Sequence, residues 1–321
     1  MSIFPEPILR FDPIYQARVW GGRAMESRFS RTLPDSSFPI GESWDISARD
    51  EADSPVVSGS MAGKTLRQLW EDAEIRSSIF GDSAPKSDHF PLLCKILDAQ
   101  ERLSIQVHPP VEAAAVLGGE PKTEVWYIAH AEPGACLYVG FKKGVTRASF
   151  RAALESGSAE GCVHTIPVET GDHIFIPSGR LHAIGAGVVI YEIQENSDTT
   201  YRVYDWARPG MDGQPRQLHI EESMKCINFA DIEPTMDNSD GTLLAECEKF
   251  RLERHSVAEG EPISTCLRGR FAIGTVISGQ LSSGNESLKE GDFFMVPVAA
   301  DTAGIVAGAD GAEWLLTTWP G

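Results

Sequence analysis

Gly171-Asp172-His173-Ile174-Phe175-Ile176-Pro177 recurs as Gly291-Asp292-Phe293-Phe294-Met295-Val296-Pro297. In each copy a Gly-Asp turn feeds a four-residue apolar strand that stops at proline, which cannot continue a hydrogen-bonded ladder. Five residues beyond each proline stands His182 in the first copy and Thr302 in the second. The repetition predicts two related β-domains, of which only the first kept its histidine. Between them lies a polar, turn-rich stretch at 234–242 (PTMDNSDGT). The expected boundary falls there, giving an N-terminal domain of residues 1–233 and a C-terminal domain of residues 234–321.

The rest of the chain reads the same way. Residues 124–128, 188–193 and 271–277 are β-rich and bounded by Gly, Pro, Asp or Asn. That pattern predicts a mainly β protein, a sandwich or barrel rather than alternating βαβ units. Helices are expected over 65–80, 111–117, 146–154 and, more weakly, 220–227. They predict a small helical lobe beside the barrels.

Composition limits the function. Of 321 residues, 42% are apolar and 23% charged, so two modest cores are affordable. A net charge of −18 repels phosphodiester backbones and anionic lipid, so neither nucleic acid nor membrane is an expected partner. No apolar run is long enough to span a bilayer. The opening Met1-Ser2-Ile3-Phe4-Pro5-Glu6 has neither a basic start nor an apolar stretch, so a cytoplasmic location is expected. None of the six cysteines forms a C-x-x-C pair, and the expectation is six reduced thiols, mostly in cores.

Three segments carry candidate metal donors. In Ser104-Ile105-Gln106-Val107-His108, strand alternation puts Ser104, Gln106 and His108 on one face, with Ile105 and Val107 in apolar packing behind. Glu124 opens an apolar strand, and Lys122 shares its face if the segment is extended. His182 follows the first Gly-Asp strand. Two imidazoles, one carboxylate and one amide oxygen form a borderline N/O set that suits zinc better than calcium. Taken singly, each has a blander reading: a lone histidine is more often structural, and a lone glutamate is more often a surface charge.

Taken together they resemble a known arrangement. The G-x5-P-x4-H segment is similar to the second cupin motif, and Gln106-Val107-His108 with Glu124 to a variant of the first, with Gln in the leading position. Residues 93–99 (LCKILDA), 103–109 (LSIQVHP), 122–128 (KTEVWYI) and 191–206 (YEIQENSDTTYRVYDW) resemble more narrowly the type I mannose-6-phosphate isomerases in their short bacterial form. Residues 18–22 (RVWGG) and 41–47 (GESWDIS) fit the N-terminal segment of that family. The likeness runs from about residue 5 to 230 and implies two cupin (jelly-roll) barrels, the second degenerate. It also implies one Zn2+ per chain on Gln106, His108, Glu124 and His182. Lys122, Asp198 and Arg202 fall on the family's active-site Lys, Asp and Arg. Lys95, Ser104 and Glu192 are expected to contact substrate. Two departures are Cys94 at a usually aliphatic position and Ala207 where Gly is common.

The implied reaction interconverts D-mannose 6-phosphate and D-fructose 6-phosphate through an enediolate, with a small sugar phosphate as partner and the chain acting as a monomer or weak dimer. Zinc would act as Lewis acid. The proton carrier is left open among a zinc-bound water, Lys122, Glu192, Asp198 and His173. The cations expected to meet the phosphate are Lys95, Lys122, Arg180 and Arg202, with Arg18 and Arg23 read as structural. Trp20, Trp44, Trp126 and Tyr191 read as core and pocket wall. Two rivals are an isomerase of another sugar and a non-catalytic bicupin sensor of sugar phosphates. An oxygenase is disfavoured by Gln106 in the leading position.

Overall fold

Apolar–polar alternation over short segments makes strands the dominant element. The computed structural model describes residues 6–34, 37–239, 241–267 and 270–320. In chain order its strands are β1 (Ile14–Gly22), β2 (Ile40–Ile46), β3 (Leu92–Ala99), β4 (Ile105–Val107), β5 (Glu124–Ala131), β6 (Cys136–Phe141), β7 (Val163–Pro167), β8 (His173–Ile176) and β9 (His182–Ile184). They continue as β10 (Val188–Glu195), β11 (Tyr201–Tyr204), β12 (Leu243–Glu246), β13 (Arg251–Val257), β14 (Ala272–Ser283), β15 (Glu286–Lys289), β16 (Phe293–Val296) and β17 (Ile305–Thr318).

The chain divides into two compact units, and the division is not a single cut. One unit comprises residues 15–43 and 95–237; the other comprises the segment up to Ile14, residues 44–94 and the chain from Asn238 onward. The first unit is a two-layer β-structure. One layer has the order β1-β2-β3-β10-β5-β8 and the other β11-β4-β9-β6-β7. Leu97, Ile128, Ile174, Ile176 and Ile190 from the first layer pack with Leu137, Val139, Ile166 and Ile184 from the second. This is the jelly-roll core of a cupin. Ile105, Val107, Ala183, Tyr201 and Val203 point the opposite way and pack with Phe150 and Met224 of the helices Arg147–Glu155 and Ile220–Cys226. The five-stranded layer is therefore covered on both faces.

The second unit is built on the order β12-β13-β17-β14-β15, with β16 paired to β14. The expected helix over 65–80 is two helices here, Leu66–Glu71 and Ala73–Phe80. Asp72 separates them. Its backbone is extended and its carboxylate accepts from the amides of Glu74 and Ile75, capping a new helix instead of continuing the old one. Trp70, Phe80, Phe90, Phe271 and Trp319 form an aromatic cluster in this unit.

The repeated heptapeptide has the same structure twice. The amide of Gly171 donates to Ile128 and that of Gly291 to Val276; the amides of Ile128 and Val276 donate back to Asp172 and Asp292. The Asp172 carboxylate accepts from the Glu169 amide, as Asp292 does from Lys289. Both glycines have positive φ, 96° and 85°, which explains why glycine opens each copy. Cross-strand register then matches the two units residue by residue. Glu124 pairs with Ile176, and Ala272 with Val296. Trp126 pairs with Ile174 and Glu192, and Gly274 with Phe294 and Leu316. Glu124, Trp126 and Glu192 of the first unit thus correspond to Ala272, Gly274 and Leu316 of the second. A Cβ on Gly274 would lie 2.2 Å from the Phe294 ring. Phe294 fills the room that a side chain at position 274, the counterpart of Trp126, would take.

Candidate metal centre

The site is the continuation of the barrel's inward-facing alternation. On β5 the inward residues run Ile128, Trp126, Glu124; on β3, Ala99, Leu97, Lys95; on β9, Ile184, His182; on β10, Ile190, Glu192. Period two fixes which residues share a face. Each strand therefore changes from apolar to polar at the same end of the barrel. Gln106 lies on β4 between the outward Ile105 and Val107, its partner across one edge is His182 and across the other Arg202.

His108, Glu124 and His182 converge at the centre, with one potential ligand atom from each within 4.8 Å of the others. Nε2 of His108 lies 3.6 Å from Glu124 Oε2, and Nε2 of His182 lies 3.6 Å from Oε1. On the far side of each ring, Nδ1 is 2.9 Å from a backbone carbonyl, of Thr199 for His108 and of Arg180 for His182. A carbonyl only accepts, so each Nδ1 carries the proton and each Nε2 presents a lone pair. Burial, with the neighbouring imidazole, pushes His182 down to about 3; burial and the Lys122 charge lower His108 as well. Both rings are neutral. Two nitrogen lone pairs thus face a carboxylate with no proton between them. His108 Nε2 and Glu124 Oε1 are buried and have no hydrogen-bond partner. Such an assembly of acceptors suits a divalent cation, and the carbonyl–imidazole contacts are the outer support that metal-bound histidines commonly have. Gln106 adjoins it with its amide nitrogen 3.4 Å from His182 Nε2 and its oxygen accepting from Ser104 at 3.3 Å. A half-turn of that amide would offer the oxygen to the centre.

Glu124 is 0% exposed, so the blander reading as a surface charge fails. Burial alone would raise its pKa, but Lys122, His108 and His182 hold it well below the carboxylate range. Lys122 Nζ sits 2.9 Å from Glu124 Oε2 and 3.8 Å from Glu192 Oε1. Burial would lower this ammonium; the two carboxylates outweigh it and raise its pKa. Lys122 is therefore held charged, which removes it as a base in this state. Glu192 also receives the Trp126 indole at 3.0 Å and faces Lys95 Nζ at 3.5 Å. Burial raises its pKa, and Glu124 adds to the effect. Beyond Lys95 the alternation of charge continues to Glu42, at 3.8 Å, and from Glu42 to Arg18 Nε, at 2.9 Å.

These groups open onto a cavity of about 370 Å³, within the range of small-ligand sites. Lys95, Ser104, Gln106, Lys122, Glu192, Asp198 and Arg202 line it, as do Trp20 and Trp126. Asp198 and Arg202 both line the cavity, and no ion pair joins them among the described residues. Three expectations are corrected. Arg180 does not face the cavity; it is held by Asp231 at 2.9 and 3.1 Å and by the Phe175 carbonyl. His173 sits on the face of β8 opposite to Ile174 and Ile176 and does not line the cavity. Arg18, read as structural, does line it; Glu42, from the 41–47 stretch, joins it, as do Arg216 and His219 from a segment that carries no motif. The departure at Ala207 is real: its φ is +54°, the left-handed region that glycine adopts without cost.

A pH prediction follows from the neutral imidazoles. The His182 pKa is near 3 in the fold and about 6.5 in an unfolded chain. The unfolded state binds more protons between those values, so stability is complete above about 6.5 and declines as pH falls toward 3. Urea denaturation of metal-free protein at pH 7.5 and 5 is expected to give a lower midpoint at pH 5. In the wild type the drop is expected to exceed that in His182→Asn.

A cupin barrel with a buried His-Glu-His cluster able to hold a metal ion beside a charged cavity is the arrangement of a metal-binding cupin. Comparison with known proteins narrows the class. The family model "Phosphomannose isomerase type I, catalytic domain" matches residues 8–119. Mannose-6-phosphate isomerase ManA of Bacillus subtilis is 34% identical over 91% of this chain and 93% of its own. Probable mannose-6-phosphate isomerase GmuF of the same organism is 41% identical over 70% of each chain. The crystal structure of a mannose 6-phosphate isomerase from Bacillus subtilis superposes with a TM-score of 0.80 at 31% identity, over 97% of this chain and 99% of that one. The chain belongs to the mannose-6-phosphate isomerase family and is an enzyme of that type. Among the described residues, no helix is long and apolar enough to cross a membrane. Among the described residues the six cysteines form no disulfide.

Proposed function

We propose that this chain interconverts D-mannose 6-phosphate and D-fructose 6-phosphate with one zinc ion per chain, held by Gln106, His108, Glu124 and His182. The observation that carries the reading is the pair of neutral imidazoles presenting lone pairs to a buried carboxylate at the mouth of a charged cavity. Zinc, when bound, supplies a Lewis acid for the sugar's carbonyl oxygen.

The remaining work falls to side chains of this chain. A proton leaves C2 of the aldose, its electron pair forming the C1–C2 double bond of an enediolate as the C1 carbonyl pair moves onto O1; the O2 hydroxyl proton passes to O1, and a proton returns at C1 as C2–O2 becomes the carbonyl. Glu192 Oε1 is buried without a hydrogen bond, and its raised pKa brings proton exchange nearer to neutral pH. Lys122, held as an ammonium, orients the Glu124 and Glu192 carboxylates and supports negative charge on substrate oxygen. Lys95 and Ser104 bind the sugar from the cavity wall. Asp198 orients a substrate hydroxyl. Arg202, always protonated, steadies negative charge on the bound sugar phosphate, at the enediolate or the phosphate.

Residues 1–233 are read as the catalytic domain and 234–321 as a degenerate cupin. Ala272, Thr302 and Leu316 stand where Glu124, His182 and Glu192 would be needed. Six cysteines without a disulfide among the described residues, and the net negative charge, favour a cytoplasmic monomer or weak dimer.

Arg202→Gln is expected to keep its metal and lose on the order of a hundredfold in kcat/KM. Unaltered kinetics would remove Arg202 from the site. Coupled assays on mannose 6-phosphate, fructose 6-phosphate, glucose 6-phosphate and free mannose test the substrate. Turnover of free mannose alone, or ligand binding by zinc-loaded protein without any turnover, would overturn the reading.

A further inference from the structure

Five cationic side chains line the cavity, Arg18, Lys95, Lys122, Arg202 and Arg216, against three carboxylates, Glu42, Glu192 and Asp198. This surplus sits in a chain of net charge −18, so it is local and built. Lys95 and Lys122 are engaged by the buried Glu192 and Glu124 at the metal end. Three guanidinium groups remain.

Each is fixed from behind. Arg216 donates through Nε and Nη2 to Asp205, at 2.6 and 2.5 Å. Asp205 is 6% exposed and is also gripped by Arg208, at 3.1 and 3.2 Å. Arg208 in turn is tied to the Arg102 carbonyl, and Trp206 Nε1 donates to the Leu103 carbonyl at 2.7 Å. The loop is thus anchored to the barrel just after Asp205, and among the described residues Arg216 Nη1 has no hydrogen-bond partner. Arg18 is set by Glu42. Arg202 donates through Nη1 to the Gln217 carbonyl, and its buried Nε has no partner. Burial, Arg216, Arg208 and Arg18 all push the Arg202 pKa down, with Asp205 as the opposing charge. Three guanidinium groups lining one cavity, one of them held at electrostatic cost by the others, call for an anion there.

We infer that Arg216, with Arg202 and Arg18, forms the phosphate-recognition end of the cavity, and that Asp205 and Arg208 brace Arg216 for that task. The inference rests on the sugar-phosphate reading and assigns the group that distinguishes the phosphorylated sugar from the free one. Arg216 touches the phosphate; Asp205 is a positioning residue.

The test uses the zinc-loaded enzyme and inorganic phosphate as the probe. Phosphate is expected to inhibit competitively against mannose 6-phosphate. In Arg216→Gln, both its inhibition constant and the KM are expected to rise by on the order of tenfold to a hundredfold, with kcat changing less and zinc content unchanged. Arg151→Gln removes an arginine paired to Glu221 at the surface and is expected to leave both constants where they were. Should Arg216→Gln not fold, Arg216→Lys keeps the charge but loses the fork, and the same rise in smaller measure is expected. Calorimetric binding of phosphate needs no turnover, so it is read even if the isomerase reading fails. Wild-type affinity for phosphate in a folded Arg216 variant overturns the inference.

Discussion

His182→Ala is expected to lose both zinc and turnover. The ring is held by the Arg180 carbonyl on one side and faces Glu124 on the other, so no neighbouring nitrogen can replace it. Removing it leaves one imidazole, one carboxylate and one amide, too few donors for a tight zinc site. A Lewis acid lowers the barrier by several kcal/mol, so kcat/KM is expected to fall on the order of a thousandfold or more. Metal analysis after gel filtration and a coupled assay report the two effects together. A folded His182→Ala that retains a full equivalent of zinc and normal turnover would exclude the centre.

Glu124→Gln has a second consequence, on stability. Lys122 is 4% exposed, and its 2.9 Å partner would lose its charge. Glu192 at 3.8 Å cannot replace it fully. Breaking a buried pair by neutralising one partner costs about 3–5 kcal/mol. Metal-free Glu124→Gln is therefore expected to unfold at markedly lower urea than metal-free wild type and to bind zinc poorly. Adding Lys122→Met is expected to restore part of the stability but none of the zinc affinity. Equal midpoints for Glu124→Gln and wild type would mean the ammonium is solvated, contrary to the buried geometry.

The parts that could be read from the sequence were those that local geometry determines. Gln106 and His108 share a face because strands alternate, and Ile105 and Val107 declare the other face. The heptapeptide gave two strands with the same hydrogen bonds because Gly and Asp dictate a particular turn. The helix over 65–80 was drawn too long because Asp72 fits a polar helix face as well as a cap, and only its side-chain bonds decide between them.

Arg216, His219 and Glu42 were missed for a different reason. Arg216 and His219 lie outside the strands, in a segment whose path is set by Trp206, Arg208 and Asp205 reaching distant carbonyls and guanidiniums. Glu42 sits on β2 in an entirely buried strand, which has no alternation to mark its face. Arg180 shows the converse: its place in the His182 motif suggested the cavity, but Asp231, 51 residues away, claims it. Tertiary pairing of charges leaves no period in the sequence. The one faint signal was a surplus of arginine late in the N-terminal domain of an acidic protein, at Arg202, Arg208 and Arg216.

The most direct trial of the metal-centred mechanism is zinc stoichiometry measured beside mannose 6-phosphate turnover, before chelation, after it, and on re-addition of metal. One equivalent per chain is expected, with activity lost on chelation and regained at one equivalent, since Ala272 and Leu316 stand in the second unit where Glu124 and Glu192 stand in the first. Full turnover by rigorously metal-free protein, or two tightly held zinc ions per chain, would contradict it.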